Sequence, residues 1–166
     1  MAHIEKYNKT NSIALYRHIE RTNANYSNKN IDKERTQDNY SLMPIQTKAK
    51  DLLNKRLKEI KHSKRKDLIT NIGIVITLPE ELKYFDIDNN EKKFFKACND
   101  FLNEKLGKEN LLYSQVHKDE TTPHLHIGYT PVKWDNEKYS GPSASVTKDL
   151  HSSIPESPVF LNNILQ

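Results

Sequence analysis

Three histidines fall within ten positions of one another in His117-Lys-Asp119-Glu120-Thr-Thr-Pro123-His124-Leu-His126-Ile-Gly128. In a strand, residues i and i+2 face the same side, so His124 and His126 project together. The runs 111–117 and 124–132 predict two strands, and the residues between them suit an antiparallel hairpin. His117 then meets the other two across the hairpin. Three imidazoles on one sheet face form half of a coordination sphere for a borderline divalent ion. They leave positions open, as a catalytic metal site requires. An ion held there could act as a Lewis acid on a phosphoryl oxygen. A cupin-like site would want a glutamate a few residues on, where this chain has Tyr129, Thr130 and Pro131.

The rest of the chain supplies elements to pack against that hairpin. Residues 2–7 alternate apolar and polar and predict a first strand. Asn11 or Ser12 can cap a helix from about Ile13 to Asn23. Residues 24–42 read as a long polar loop. Helical spacing resumes from about Ile45 to Lys61, with Leu53, Leu57 and Ile60 on one stripe. The β-branched run 71–78 predicts a central strand. A helix capped at Asn89 or Asn90 follows, with Phe94, Cys98, Phe101, Leu102 and Leu106 on its apolar face and Gly107 at its stop. The order β-α-α-β-α-β-β predicts an α+β fold, an antiparallel β-sheet flanked by helices. From Tyr139 onward periodicity fades; a short element near Val146–His151 and a last turn at the terminus are the most the pattern offers.

Composition excludes several classes. With 166 residues the chain suits one domain with a real core. One cysteine, Cys98, excludes a disulfide framework and a multi-cysteine zinc site. No apolar run reaches a membrane span and the N-terminus lacks a signal-type apolar region, so the expected compartment is the cytoplasm. The net charge of +4 permits nucleic acid without demanding it. Its distribution says more: Lys48–Lys66 holds nine basic residues against Asp51 and Glu59. This stretch fits a DNA backbone, with Lys55, Arg56, Arg65 and Lys66 as candidate contacts. Trp134 and Tyr139 could stack on an unpaired base.

The string HxDExxPHxHxG resembles the metal motif of the Mob/Pre (MobV-type) plasmid mobilisation relaxases, which are HUH-type endonucleases. Two further segments resemble that family. His18-Ile-Glu-Arg21 is similar to its first motif, HNxR, with Ile19 in place of asparagine. Asn30-Ile-Asp32-Lys-Glu-Arg35-Thr-Gln-Asp-Asn39-Tyr40-Ser-Leu42 is similar to its second, NxDxxRxxxNxxL. The three occur in the family's order.

The resemblance implies an HUH relaxase fold over residues 1–138, with 139–166 as a divergent or truncated tail of the same domain. It implies metal-dependent nicking of one plasmid strand at an origin of transfer, through a covalent 5′-phosphate intermediate. Mn²⁺ or Mg²⁺ would be held by His117, His124 and His126. His18 would be the nucleophile, Arg21 a phosphate holder and Glu120 the general acid or base. Asp119 would orient a ligand histidine. Arg35 could stabilise phosphoryl charge, while Asn30, Asp32 and Asn39 shape the polar loop. Rival nucleophiles are Tyr16, Tyr26 and Tyr40. Plasmid DNA is the expected partner, and no membrane contact is expected through this segment. The family's C-terminal region is linked to dimerisation, so a homodimer would form through residues beyond these. Two other functions stay open: a DNA-binding remnant without chemistry, and a tyrosine-using replication initiator.

Overall fold

The computed structural model describes residues 2–23, 28–44, 47–83, 87–135 and 138–142. Five strands form one antiparallel sheet in the order β1-β3-β5-β4-β2. They are β1 (Ala2–Asn8), β2 (Tyr40–Ser41), β3 (Ile69–Thr77), β4 (Leu111–His117) and β5 (His124–Tyr129). Helix α3 (Ile87–Leu106) covers one face, while α1 (Asn11–Ile19) and α2 (Ala49–Glu59) cover part of the other. The expected α+β architecture is observed.

Alternation along the strands divides the core. Ile72, Ile74 and Ile76 of β3, with Leu125, Ile127 and Tyr129 of β5, pack on Phe94, Phe95, Cys98 and Leu102 of α3. The opposite side chains of β4 and β5 include the histidines and Tyr113, which meet α1 and α2. Tyr16 of α1 stands edge-on to Tyr113, with ring centroids 5.9 Å apart. Gly128 makes that contact possible, because a Cβ there would fall inside the Tyr113 ring. Gly128→Ala is therefore expected to unseat Tyr113 and cost about 2 kcal/mol. At about 2–4 °C per kcal/mol in a chain of this size, thermal unfolding should show a fall of several degrees.

Helix α1 begins earlier and ends sooner than its periodicity predicts. The side chain of Asn8, not Asn11 or Ser12, accepts the Asn11 N–H at 2.9 Å. The helix stops at Ile19 because Arg21 takes a left-handed φ of 51°. Helix α2 begins at Ala49 rather than Ile45, where the Glu20 carboxylate accepts the Ala49 N–H at 3.0 Å. It ends at Glu59, so Arg65 and Lys66 lie on the following loop. The polar segment contains more structure than expected: a 3-10 helix at Lys33–Asp38, capped by the Asp32 side chain, and then β2. Gly107, at φ 81°, ends α3 as expected.

The last predicted strand is split. β5 ends at Tyr129, and a separate hairpin follows, β6 (Val132–Asp135) with β7 (Lys138–Pro142). Trp134 and Tyr139 are backbone partners in that hairpin. The expectations for Tyr26, for Val146–His151 and for the chain end lie outside the described residues.

Candidate active site

β5 is the central strand, and its neighbours fix where its histidines stand. His124 lies opposite His117 of β4, and His126 opposite Gln115. All three therefore share the face beneath the C-terminal end of α1, where His18 is the penultimate helical residue. The four rings form a cluster. His18 lies 5.5 Å from His117 and 5.3 Å from His126, centroid to centroid. His126 lies 4.7 Å from His117 and 4.8 Å from His124.

The outer contacts of the rings suit metal ligation. Nε2–H of His117 donates to the Ile19 carbonyl at 3.1 Å, which leaves Nδ1 as a lone pair. That Nδ1 is buried and has no hydrogen-bond partner among the described residues. Nδ1–H of His124 donates to the Thr122 carbonyl at 2.8 Å, so its Nε2 is left to ligate. This Nε2 faces Nε2 of His126 at 3.0 Å. Backbone carbonyls that fix the tautomer of inward-facing imidazoles are the usual outer partners of metal-bound histidines. Two ligand sets emerge, His18-His117-His126 and His117-Glu120-His124, each with its atoms within 4.8 Å. Each set holds two of the three histidines expected from sequence, joined by His18 in one and by Glu120 in the other.

Arg21 is not on the helix, although the span predicted to Asn23 includes it. It lies beyond the helix end, and its left-handed backbone turns the side chain back over the site. The guanidinium forks onto Asp119, Nε to Oδ2 at 2.8 Å and Nη2 to Oδ1 at 2.6 Å. Nη2 also donates to Glu120 at 2.7 Å, and Nη1 lies 3.2 Å from Nδ1 of His18. Glu120 stands 3.7 Å from Nε2 of His18 and 3.9 Å from Nδ1 of His117.

Among the described residues Asp119 bonds to no histidine; it anchors Arg21 and the polar segment. Thr36 donates to it at 3.0 Å, and its carbonyl accepts the Asp32 N–H at 2.8 Å. Asn39 accepts the N–H groups of Lys118 and Asp119 at 2.7 and 3.2 Å. Asn28 reaches Glu120 at 3.2 Å. The loop-shaping roles of Asp32 and Asn39 are thus observed. Thr36 falls inside the second motif, whose spacing is the signal for it; Asn28 precedes that motif and carries no sequence signal.

Burial sets the charge states. It pushes His117 down to about 3, helped by the nearby Arg21 charge. His126 falls well below the ordinary imidazole range through burial and its neighbouring histidines. His18 is lowered by burial and by Arg21. Burial would raise Asp119, but the bonds from Arg21, Asn39 and Thr36 outweigh it and hold the carboxyl far below its usual range. Buried neutral histidines take up protons only on unfolding, which begins to favour the unfolded chain below about pH 6.5. Metal-free protein should therefore hold full stability above that pH. It should lose about 1.4 kcal/mol per pH unit for each such histidine as the pH falls, for His117 until about pH 3. Asp119 adds a loss in the same direction at lower pH. Urea titrations in chelator between about pH 7.5 and 5 test this; a midpoint independent of pH would refute it.

The remaining candidates separate. Tyr16 is buried against Tyr113, and Tyr40 donates to Glu91 of α3 at 3.3 Å, so neither hydroxyl joins the cluster. Arg35 is exposed on the 3-10 helix, where its neighbour Thr36 makes the contact to Asp119. Arg56 is not a surface cation: it is 7% exposed and donates to Asn110 at 2.7 Å and Glu59 at 3.2 Å, tying α2 to the residues after α3. Lys55, Arg65 and Lys66 are exposed, with Arg65 paired to Asp67. No helix among the described residues is long and apolar enough to cross a membrane.

The model of the plasmid recombination enzyme family, Mob_Pre, matches residues 1–163. The chain is 37% identical over 131 residues to plasmid recombination enzyme type 1 of Staphylococcus aureus, across 76% of this chain and 32% of that protein. It is 28% identical over 159 residues to the plasmid recombination enzyme of Bacillus thuringiensis, across 95% of this chain and 36% of that protein. It thus spans about a third of the length of these relatives. Among solved structures, the manganese-bound MobM relaxase domain (MOBV; Mob_Pre) in complex with plasmid oriT DNA superposes with a TM-score of 0.76 at 26% identity. That match covers 98% of this chain and 85% of the other.

Proposed function

Because the chain belongs to the plasmid recombination enzyme (Mob/Pre) family, we propose that it is a relaxase nuclease domain that nicks one strand of plasmid DNA at an origin of transfer. The observation that carries this reading is the meeting of His18 and Arg21 with the three sheet histidines at the end of α1. MobM, the similar solved domain, is bound to manganese and oriT DNA.

The residues divide the work. His117, His124 and His126 would hold a divalent ion, and Mn²⁺ suits this imidazole-rich set better than Mg²⁺. When bound, the ion would supply positive charge to a non-bridging phosphoryl oxygen. His18, kept neutral by burial and Arg21, has a lone pair for attack on phosphorus near neutral pH. Its ring N–H proton goes to Glu120, which stands 3.7 Å from Nε2. A bond forms between His18 and phosphorus, the bond from phosphorus to the 3′ oxygen breaks, and Glu120 returns the proton to that oxygen. The products are a 5′-phosphohistidine and a free 3′ hydroxyl; reversal rejoins the strand. Arg21, fixed by Asp119, presents its guanidinium to the phosphate.

A supercoiled plasmid bearing the cognate origin provides the test. Nicking at one position is expected with Mn²⁺, to vanish with EDTA and to return on adding the ion. His124→Ala should raise the Mn²⁺ requirement by more than about tenfold, since loss of even an outer partner of a ligand costs about 10–100-fold. Origin binding without nicking under every metal would instead favour the DNA-binding remnant.

A further inference from the structure

At the other end of α1 from His18 lies a groove of about 780 Å³, between the β1–α1 turn, the last turn of α2 and the loop leading to β3. Lys9, Lys58, Lys64, Arg65 and Lys66 line it, and no acidic side chain among the described residues does. Four of these cations belong to the basic run 48–66, and the fold adds Lys9 from the β1–α1 turn to them. The Arg65 and Asp67 side chains are 71% and 68% exposed, so the pair holds Arg65 only weakly.

Two other features are hard to explain on a simply solvated lysine surface. Ile13 borders the groove and is the exposed large hydrophobic residue of the described chain, at 40%. Thr70 also lines it at 4% exposure, with its hydroxyl enclosed and without a hydrogen-bond partner among the described residues. A ligand with distributed negative charge and an apolar sugar or base face answers the cations and Ile13. A nucleic-acid backbone has that chemistry, whereas a lone phosphate would need the cations to converge on one point.

We propose that this groove is a second DNA anchor that holds the backbone of the nicked molecule away from the scissile phosphate; this rests on the DNA-nicking reading above. The distance follows from the helix. Asn11 at the groove end and His18 at the site are separated by about 10 Å at 1.5 Å per residue. That is about three nucleotides at the duplex spacing of 3.4 Å per strand. The anchor contacts phosphates from about the third nucleotide outward, on one side of the nick. It adds affinity without reading sequence.

The experiment compares Lys9→Gln/Lys58→Gln/Lys64→Gln with Lys92→Gln/Lys93→Gln/Lys105→Gln, which removes equal charge from α3 across the sheet. Binding of an origin oligonucleotide and of a random one is followed against salt in chelator, with circular dichroism as the folding control. The groove variant should lower the salt slope by about 2–3 and weaken both oligonucleotides about 100-fold at 0.1 M salt, while the α3 variant leaves the slope unchanged. Equal losses in both variants, or none in the first, would overturn the proposal. Neutral methylphosphonates placed three to five nucleotides from the nick should weaken the wild type and add nothing to the groove variant. Sensitivity confined to phosphates beside the nick would overturn it as well. A protein that binds in this way yet never nicks would sink the nuclease reading and leave the anchor standing.

Discussion

His18→Ala is expected to abolish nicking, with a loss of about 10⁴-fold or more, because no other described side chain offers a free nucleophile at the end of α1. The covalent protein–DNA adduct should disappear with it. In the wild type the adduct should be labile to acid, as a phosphorus–nitrogen bond is, where a tyrosyl phosphate ester would survive. His18 also belongs to one of the two possible ligand sets, so a second measurement is needed. A manganese titration of His18→Ala should retain an affinity close to that of the wild type. If metal affinity falls in step with nicking, His18 is a ligand and the nucleophile must be sought elsewhere. A retained adduct would likewise end the assignment.

The second large effect is expected at Arg21. Its side chain is 8% exposed and Asp119 is fully buried, so Arg21→Gln strands a carboxylate without its counter-charge. Breaking a buried pair from one side costs about 3–5 kcal/mol. Thermal unfolding should drop by about 10 °C, and nicking should fall even where the variant remains folded. Arg21→Lys should not rescue either property, because an ammonium cannot span both Asp119 oxygens while also reaching Glu120. Arg21 further holds a left-handed backbone, which costs a non-glycine residue about 1–2 kcal/mol and persists because the fork to Asp119 compensates it. A double-mutant cycle with Asp119→Asn should return a coupling of several kcal/mol. Additive losses would mean that the two side chains act separately.

The histidine hairpin could be read directly from the chain, since strand periodicity alone puts His124 and His126 on one face and a short loop brings His117 opposite His124. The helix α3 stripe and the β3 run were equally legible, because local apolar spacing decides them. The failures have a common cause. Helix ends were misplaced where a distant or off-helix group sets the boundary: Asn8 for the start of α1, Arg21 for its end, Glu20 for the start of α2. Arg56 looked like a surface cation because one-dimensional charge counts do not report what lies opposite, here Asn110. Asp119 looked like a partner for histidine because it is adjacent to the motif, yet the fork of Arg21 takes it.

The sequence by itself determined four strands of the sheet, its helical cover and the shared face of His124 and His126, since each follows from spacing along one element. Only the tertiary structure decided that His18 closes over the histidine face, that Arg21 is locked there by two carboxylates, and that Lys9 joins the basic run in a groove at the far end of the same helix. Those arrangements join residues far apart in the chain. They depend on long-range packing and buried charge pairing, which no local pattern encodes.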